Sequence, residues 1–115
     1  MQKPLTPSNE AARIKAQHTI NILDTHPDDR FDRLARMAKR LFDAPIALLS
    51  LVDINRQWSR SKVGLDASET PCDISFCGHA ILGDDIFIIS DTLDDKRFAG
   101  NPGVTNAPNI RFYAG

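Results

Sequence analysis

Three side chains that could do chemistry lie close together in the middle of the chain. Cys72, Cys77 and His79 include both cysteines of the sequence and one of its three histidines. Two thiols and an imidazole at this spacing suit a redox pair, a metal site or the attachment point of a cofactor. They also suit the packed wall of a ligand pocket. The elements around them must distinguish these four alternatives.

Spacing argues against a metal site. Zinc sites favour short pairs such as Cys-x2-Cys with a second pair elsewhere, whereas Cys-x4-Cys-x-His stands alone here. Residues 75–82 predict a short helix with Ser75 as its N-cap, so Cys77 and His79 point about 200° apart around its axis. Even with Asp73 as a fourth ligand, they could not share one ion without unwinding. The sequence therefore predicts neither a metal nor a cofactor.

Length and composition predict one globular domain over residues 1–115, with 42% hydrophobic residues and a net charge of −1. No apolar run reaches the roughly 18 residues that span a bilayer, and the N-terminus lacks the apolar core of a secretion signal. We therefore expect a cytoplasmic protein with free thiols. The near-neutral charge predicts no nucleic-acid or membrane partner, although residues 1–62 are basic and residues 63–115 acidic.

Two helices are predicted ahead of the first strand. The first covers residues 8–23, with one stripe formed by Ala11, Ile14, His18 and Ile22. The second begins near Asp28 and ends near Phe42. Its predicted buried face consists of Phe31, Leu34, Ala35, Ala38, Leu41 and Phe42. Its basic stripe, Arg33, Arg36 and Arg40, lacks interleaved aromatic residues, so we interpret it as solvated surface or the rim of a dimer and not as a DNA contact.

Strand-like segments follow these helices and predict a mixed α+β domain. The apolar run 46–52 predicts a central strand covered on both faces, and the more polar run 57–63 predicts an edge strand. Residues 64–73 and 100–109 predict loops, 86–90 and 110–113 predict strands, and 93–98 predicts a helical turn. Because the sequence stops just after the last strand begins, we expect an incomplete domain whose final strand finds an intermolecular or swapped partner.

Several separated motifs resemble, in order and spacing, those of bacterial GAF domains. They are the entry segment Ile22–Leu34, the first hairpin from Pro45 to Asp53 with Arg56-Gln57-Trp58, then Glu69-Thr70-Pro71, Ser75–Ile81, Asp91, Arg97-Phe98-Ala99, Asn101-Pro102 and Ile110–Gly115. The resemblance covers residues 10–115. It implies a central antiparallel sheet, a helical layer behind it and a layer of loops and a short helix over a ligand pocket, incomplete at the C-terminus.

The resemblance also implies a function. Such domains are regulatory inputs of histidine kinases, diguanylate cyclases and related signalling proteins, and are not themselves enzymes. Cys72 departs from the pattern, since relatives often carry arginine there, and this weakens any two-cysteine mechanism. A related fold serves free methionine sulfoxide reductases through a cysteine thiolate, so Cys77 keeps an enzyme alternative open. Bilin attachment needs a cysteine followed directly by histidine, whereas Gly78 intervenes here.

The leading hypothesis is therefore a sensor that binds an unidentified small molecule and forms a homodimer through its N-terminal helix. The alternative is a dimerisation module that binds no ligand. The candidate ligand-binding residues mix aromatic, polar and charged side chains, as small-molecule sites do. They are Trp58, Phe76, Cys77, His79, Asp91, Phe98, Arg111 and Tyr113. Each of them also has an ordinary packing or capping role available.

Overall fold

The computed structural model describes residues 1–115 and shows a mixed α+β fold with antiparallel sheets, which confirms the predicted class. The helices are α1 (Glu10–Ile20), α2 (Asp29–Leu41), α3 (Phe76–Ala80) and α4 (Pro102–Thr105), with a 3₁₀ turn at Cys72–Ile74. The strands are β1 (Ala47–Val52), β2 (Arg56–Val63), β3 (Glu69–Pro71), β4 (Ile88–Ile89) and β5 (Tyr113–Ala114). None of the helices has the length and apolar character that crossing a membrane requires.

The first sheet has the order β1-β2-β3, which corrects two predictions. The polar strand β2 is central and the apolar strand β1 lies at an edge. The reason is β3, a three-residue strand inside the predicted loop 64–73, which pairs Trp58 with Glu69 and Arg56 with Pro71. The polar side chains of β2 are tolerated in the centre because they find partners: Gln57 Nε2, for example, donates to Ser50 Oγ at 3.2 Å.

Helix α1 is shorter than predicted and docks through polar side chains. It ends at Asn21, whose φ of 58° lies in the left-handed region. The predicted stripe is only partly right, because Ala11 and His18 are exposed whereas Gln17 is buried. Arg13 donates to the main-chain oxygen of Val52 at the end of β1. Helix α1 is thus held by hydrogen bonds where an apolar stripe was expected.

Helix α2 packs across β1 and β2 but buries only part of its predicted face. The Asp28 carboxylate caps it by accepting from Arg30 N at 2.9 Å, and its central contact is Ala35, which is 4% exposed. Leu34, Leu41 and the C-cap Phe42 were predicted to be buried. They are instead 51%, 74% and 75% exposed. The helix therefore carries an apolar surface that no residue of this chain covers.

The second sheet pairs β4 with β5 and closes the core. Ile88 faces Ala114 and Ile89 faces Tyr113 in antiparallel register. The last strand therefore pairs with β4 of the same chain, and the expected intermolecular or swapped contact stays a prediction. The predicted loop 100–109 also contains α4, which Asn101 caps through a bond from Gly103 N at 2.8 Å. The core lies between these elements and comprises Phe76, Ile89, Phe98 and Val104.

Candidate functional site

Helix α3 positions three of the candidate residues, and a chain of hydrogen bonds fixes it on the first sheet. The Ser75 hydroxyl accepts from Gly78 N at 2.9 Å, as the predicted N-cap should, and donates to Gln57 Oε1 on β2. Because Ser75 and Gln57 are both buried, this connection is shielded from water. It fixes the rotation of α3 and thus the directions of Phe76, Cys77 and His79.

Five ring side chains from four segments pack together beside α3 to form what we call the aromatic cluster. Its members are Phe76, His79, Phe87, Phe98 and Tyr113. Ring centroids lie 4.7 Å apart for Phe76 and Phe98, 4.8 Å for His79 and Phe98, and 5.3 Å for Phe76 and Tyr113. The tilted and edge-on geometries are those that aromatic quadrupoles favour. Four predicted site residues therefore meet, and they meet as packed side chains.

Cys77 joins the cluster on its inner side. The Tyr113 hydroxyl donates to Cys77 Sγ at 3.3 Å. Burial raises the pKa of the Cys77 thiol above its ordinary value, and it raises the pKa of the Tyr113 phenol as well. A thiol held protonated is a poor nucleophile, so this environment is that of a packed cysteine and differs from the electropositive settings of reactive cysteines.

His79 points away from Cys77, as the helical spacing predicted. Its Nε2 donates to the main-chain oxygen of Gln2 at 3.1 Å, and its ring stacks edge-on against Phe98. Burial lowers the pKa of His79, so the imidazole is neutral at neutral pH. The polar partner of the His79 side chain is therefore the N-terminal segment of the chain.

Cys72 lies apart from these groups. Its thiol donates to the main-chain oxygen of Asp53 at 3.5 Å, in the 3₁₀ turn beside the first sheet. Burial raises the pKa of Cys72 too. Both cysteines are free thiols. No group of three or more His, Cys, Asp and Glu side chains is arranged to hold a metal ion.

The remaining three predicted residues stand outside the cluster. Trp58 is buried on β2, where the Arg60 guanidinium lies 5.8 Å from its ring. Asp91 caps the following turn by accepting from Leu93 N at 3.0 Å. Arg111 is exposed and donates to the main-chain oxygens of Val104 and Ile110. Asp91 also borders an open surface depression.

That depression is a groove of 620 Å³ lined by residues 88–91 and 94–97. Its wall includes Arg97, which lies in the predicted helical turn 93–98. The guanidinium lies 5.1 Å from the Phe87 centroid and 5.4 Å from that of Phe98, and it forms an ion pair with Asp95 at 2.7 Å. This ion pair lowers the pKa of Asp95. Arg97 therefore connects the groove to the aromatic cluster.

A second polar cluster lies at the other end of the first sheet. Arg56 contacts three carboxylates, those of Asp24 at 2.6 Å, Glu69 at 2.7 Å and Asp53 at 3.5 Å. His18 Nε2 lies 3.1 Å from the Asp53 carboxylate. Residues scattered over 50 positions converge here, and sequence spacing gave no sign of it. The arrangement connects α1, β2 and β3, and its three carboxylates are already engaged by Arg56 and His18.

Comparison with known proteins agrees with this architecture. The family model described as GAF domain matches residues 26–115. A cyclic di-GMP phosphodiesterase of Pseudomonas aeruginosa (strain PAO1) is 41% identical to the chain over 115 residues, which is 100% of this chain. The chain spans only 20% of that relative's length. With an antiparallel sheet, helices beside it and a short helix followed by loops over the core, the chain belongs to the GAF domain family.

Proposed function

We propose that this GAF domain is the sensory part of a bacterial signalling protein and that a small polar molecule binding in the groove beside Arg97 regulates an output domain. The similarity to a cyclic di-GMP phosphodiesterase supports cyclic di-GMP turnover as that output. The observation that carries the proposal is the position of Arg97. Its guanidinium borders the groove and lies over two rings of the aromatic cluster, Phe87 and Phe98.

This position couples ligand binding to packing. A ligand carboxylate or phosphate that binds Arg97 competes with Asp95 for the guanidinium. Moving the guanidinium alters the rings of Phe87 and Phe98, and Phe98 is fully buried. A ligand can shift an equilibrium only by its difference in affinity for two states. The Arg97 contact supplies such a difference, because the ion pair with Asp95 exists only in the ligand-free arrangement.

The first experiment is a thermal-shift screen of this chain against nucleotides, including cyclic di-GMP, and amino acids. A ligand present at ten times its Kd stabilises the fold by about 1.4 kcal/mol, which raises the Tm by about 5 °C for a domain of this size. Arg97→Gln should abolish the shift. Arg33→Gln is the control, because Arg33 is an exposed arginine on α2 whose ion pair with Asp29 lies away from the groove.

The second experiment addresses the output. In the protein that carries this domain, Arg97→Gln should abolish the ligand's effect on cyclic di-GMP hydrolysis, measured as the ratio of the rates with and without ligand in the same variant. If the carrier protein binds no metabolite yet still regulates its output through this domain, the sensing role is wrong. A change caused equally by Arg33→Gln would argue that the effect reflects general charge loss.

A second candidate function is dimerisation, and the exposed face of α2 favours it. Leu34, Met37 and Leu41 recur at helical spacing and are 51%, 58% and 74% exposed. The first turn of α2 is acidic at Asp29 and its last turn is basic at Arg40. Two copies packed antiparallel would bring opposite charges together at each end. We propose α2 as this contact, since α1 exposes only Ile20 among large apolar side chains.

A further inference from the structure

The first four residues lie extended across α3 and the loop that precedes α4; we call residues Met1–Pro4 the strap. Both main-chain groups of Gln2 are engaged: its N–H donates to Arg97 O at 2.9 Å and its oxygen accepts from His79 Nε2 at 3.1 Å. Chain termini are poorly ordered unless something ties them down. Here two bonds to residues more than 75 positions away hold the strap.

Two glycines make room for it. A Cβ at Gly78 would lie 2.7 Å from Pro4 Cγ, which is closer than such atoms approach, and a Cβ at Gly100 would lie 3.2 Å from Met1 N. At position 78, which approaches Pro4, only glycine therefore avoids a clash. Lys3 adds an ion pair with Asp73 at 3.0 Å, exposed on both sides and of little energetic weight.

These contacts form a channel with the features of peptide recognition. As in strand addition, the segment is held through both main-chain groups of one residue, but here its partners are the His79 side chain and a loop carbonyl oxygen. His79 Nε2 can donate to a main-chain oxygen, and Arg97 O can accept from a main-chain N–H. Both bonds are possible for any extended segment, whatever its side chains. Specificity would come from proline opposite Gly78 and a basic residue opposite Asp73.

We propose that the channel between α3 and residues 97–100 is a binding site for an extended peptide with a basic residue followed by proline, occupied in this structure by the chain's own strap. The strap is joined to α1 by residues 5–9, so a segment in trans must compete with it. Exchange leaves the two hydrogen-bonding groups of the channel in place for a segment in trans. This site shares Arg97 with the groove of the proposed ligand, but its other groups belong to α3 and to residues 98–100. It goes beyond the sensory function.

The affinity can be bounded by effective concentration. A segment on a short flexible linker experiences an effective concentration in the millimolar range. A strap that is mostly docked must therefore bind in trans with a Kd of about a few millimolar or tighter. NMR chemical shifts detect such binding directly.

The test uses the full-length chain with a disabled strap. Gln2→Pro removes the N–H that bonds to Arg97 O, and Lys3→Glu places like charge against Asp73. Into this double variant we would titrate the six-residue peptide Met-Gln-Lys-Pro-Leu-Thr. Amide shifts at residues 97–100 and ring shifts at His79 are expected, with saturation near about 10 mM peptide, whereas the wild-type chain should respond at least tenfold more weakly because its own strap competes.

A matched glycine pair supplies the control. Adding Gly78→Ala to the double variant should weaken peptide binding at least tenfold, while Gly83→Ala should not, because a Cβ at Gly83 meets nothing within 4 Å. In the otherwise wild-type chain, Gly78→Ala should shift the Gln2 and Pro4 resonances toward unfolded values. Absence of peptide shifts, equal responses from wild type and double variant, or equal effects of the two glycine variants would each overturn the proposal.

Discussion

Tyr113 on the last strand donates its hydroxyl to the thiol of Cys77 on α3, 36 positions earlier in the chain. The contact joins the second sheet to the helix that carries the most chemically suggestive residues. Both groups are partly buried, and burial raises both pKa values, which favours the protonated thiol. Cys77 therefore links α3 to the last strand through Tyr113.

The first prediction concerns alkaline stability. Because burial raises the pKa of Cys77 above its ordinary 9.0, the protonated thiol contributes stability that is complete below pH 9.0. As pH rises above 9.0, the unfolded chain loses this proton first and the free energy of unfolding falls, by up to about 1.4 kcal/mol at one pH unit above. Urea denaturation at pH 7, 9 and 10 should show this loss, and Cys77→Ala should lessen it. Parallel curves for the two proteins would contradict the assignment.

The second prediction concerns the centre of the aromatic cluster. Phe98 is fully buried against Phe76 and His79, so Phe98→Ala should lower the free energy of unfolding by about 3–5 kcal/mol. Phe112→Ala is the matched control because that side chain is 60% exposed, and it should cost under about 0.5 kcal/mol. Urea denaturation of both variants measures the difference. Similar losses would show that the core lies elsewhere.

The third prediction concerns Asn101, a buried side chain with two roles. Its oxygen caps α4 by accepting from Gly103 N, and its Nδ2 donates to Ile74 O at 3.0 Å. Asn101→Ala removes both bonds and should destabilise by about 1–3 kcal/mol. Asn101→Asp keeps an oxygen that can cap α4, but it replaces the Nδ2 donor to Ile74 O with a second acceptor. In hydrogen exchange, we expect Asn101→Asp to restore the amide protection of α4 but not that of the turn at Ile74. Identical exchange profiles for the Ala and Asp variants would argue against separate roles.

The fourth prediction concerns the three carboxylates around Arg56. The hydrogen bond from Arg56 lowers the pKa of Asp24, and bonds from Ile54 N, His18 and Arg56 lower that of Asp53 despite partial burial. A carboxyl group whose pKa is lowered by folding stabilises the protein fully when the pH is above its pKa in the unfolded chain, 3.8. This stability is lost as the pH falls through the lower pKa of the folded state. Arg56→Gln should therefore lower the urea midpoint at pH 7 and have little effect at pH 2. A pH-independent effect would point to lost packing.

These residues also show which parts of the structure could be read from sequence. The cap at Ser75, the acidic start of α2 and the opposed directions of Cys77 and His79 follow from local spacing, and all are observed. The central place of β2 could not be read locally, because it depends on β3, a three-residue strand with no hydrophobic alternation. The position of Arg97 could not be read locally either, because only its tertiary contacts with Phe87 and Phe98 define it.

The last prediction concerns the exposed face of α2. If two copies pair through it, Leu41→Glu should place a carboxylate in the contact and weaken self-association at least tenfold, because burying an unpaired charge is costly. Ile86→Glu is the control, since Ile86 is equally exposed at 76% but lies outside α2. Sedimentation velocity over a range of concentrations should show a reversible dimer for wild type and Ile86→Glu and a monomer for Leu41→Glu. A wild-type chain that stays monomeric at millimolar concentration would overturn the pairing of two copies through α2.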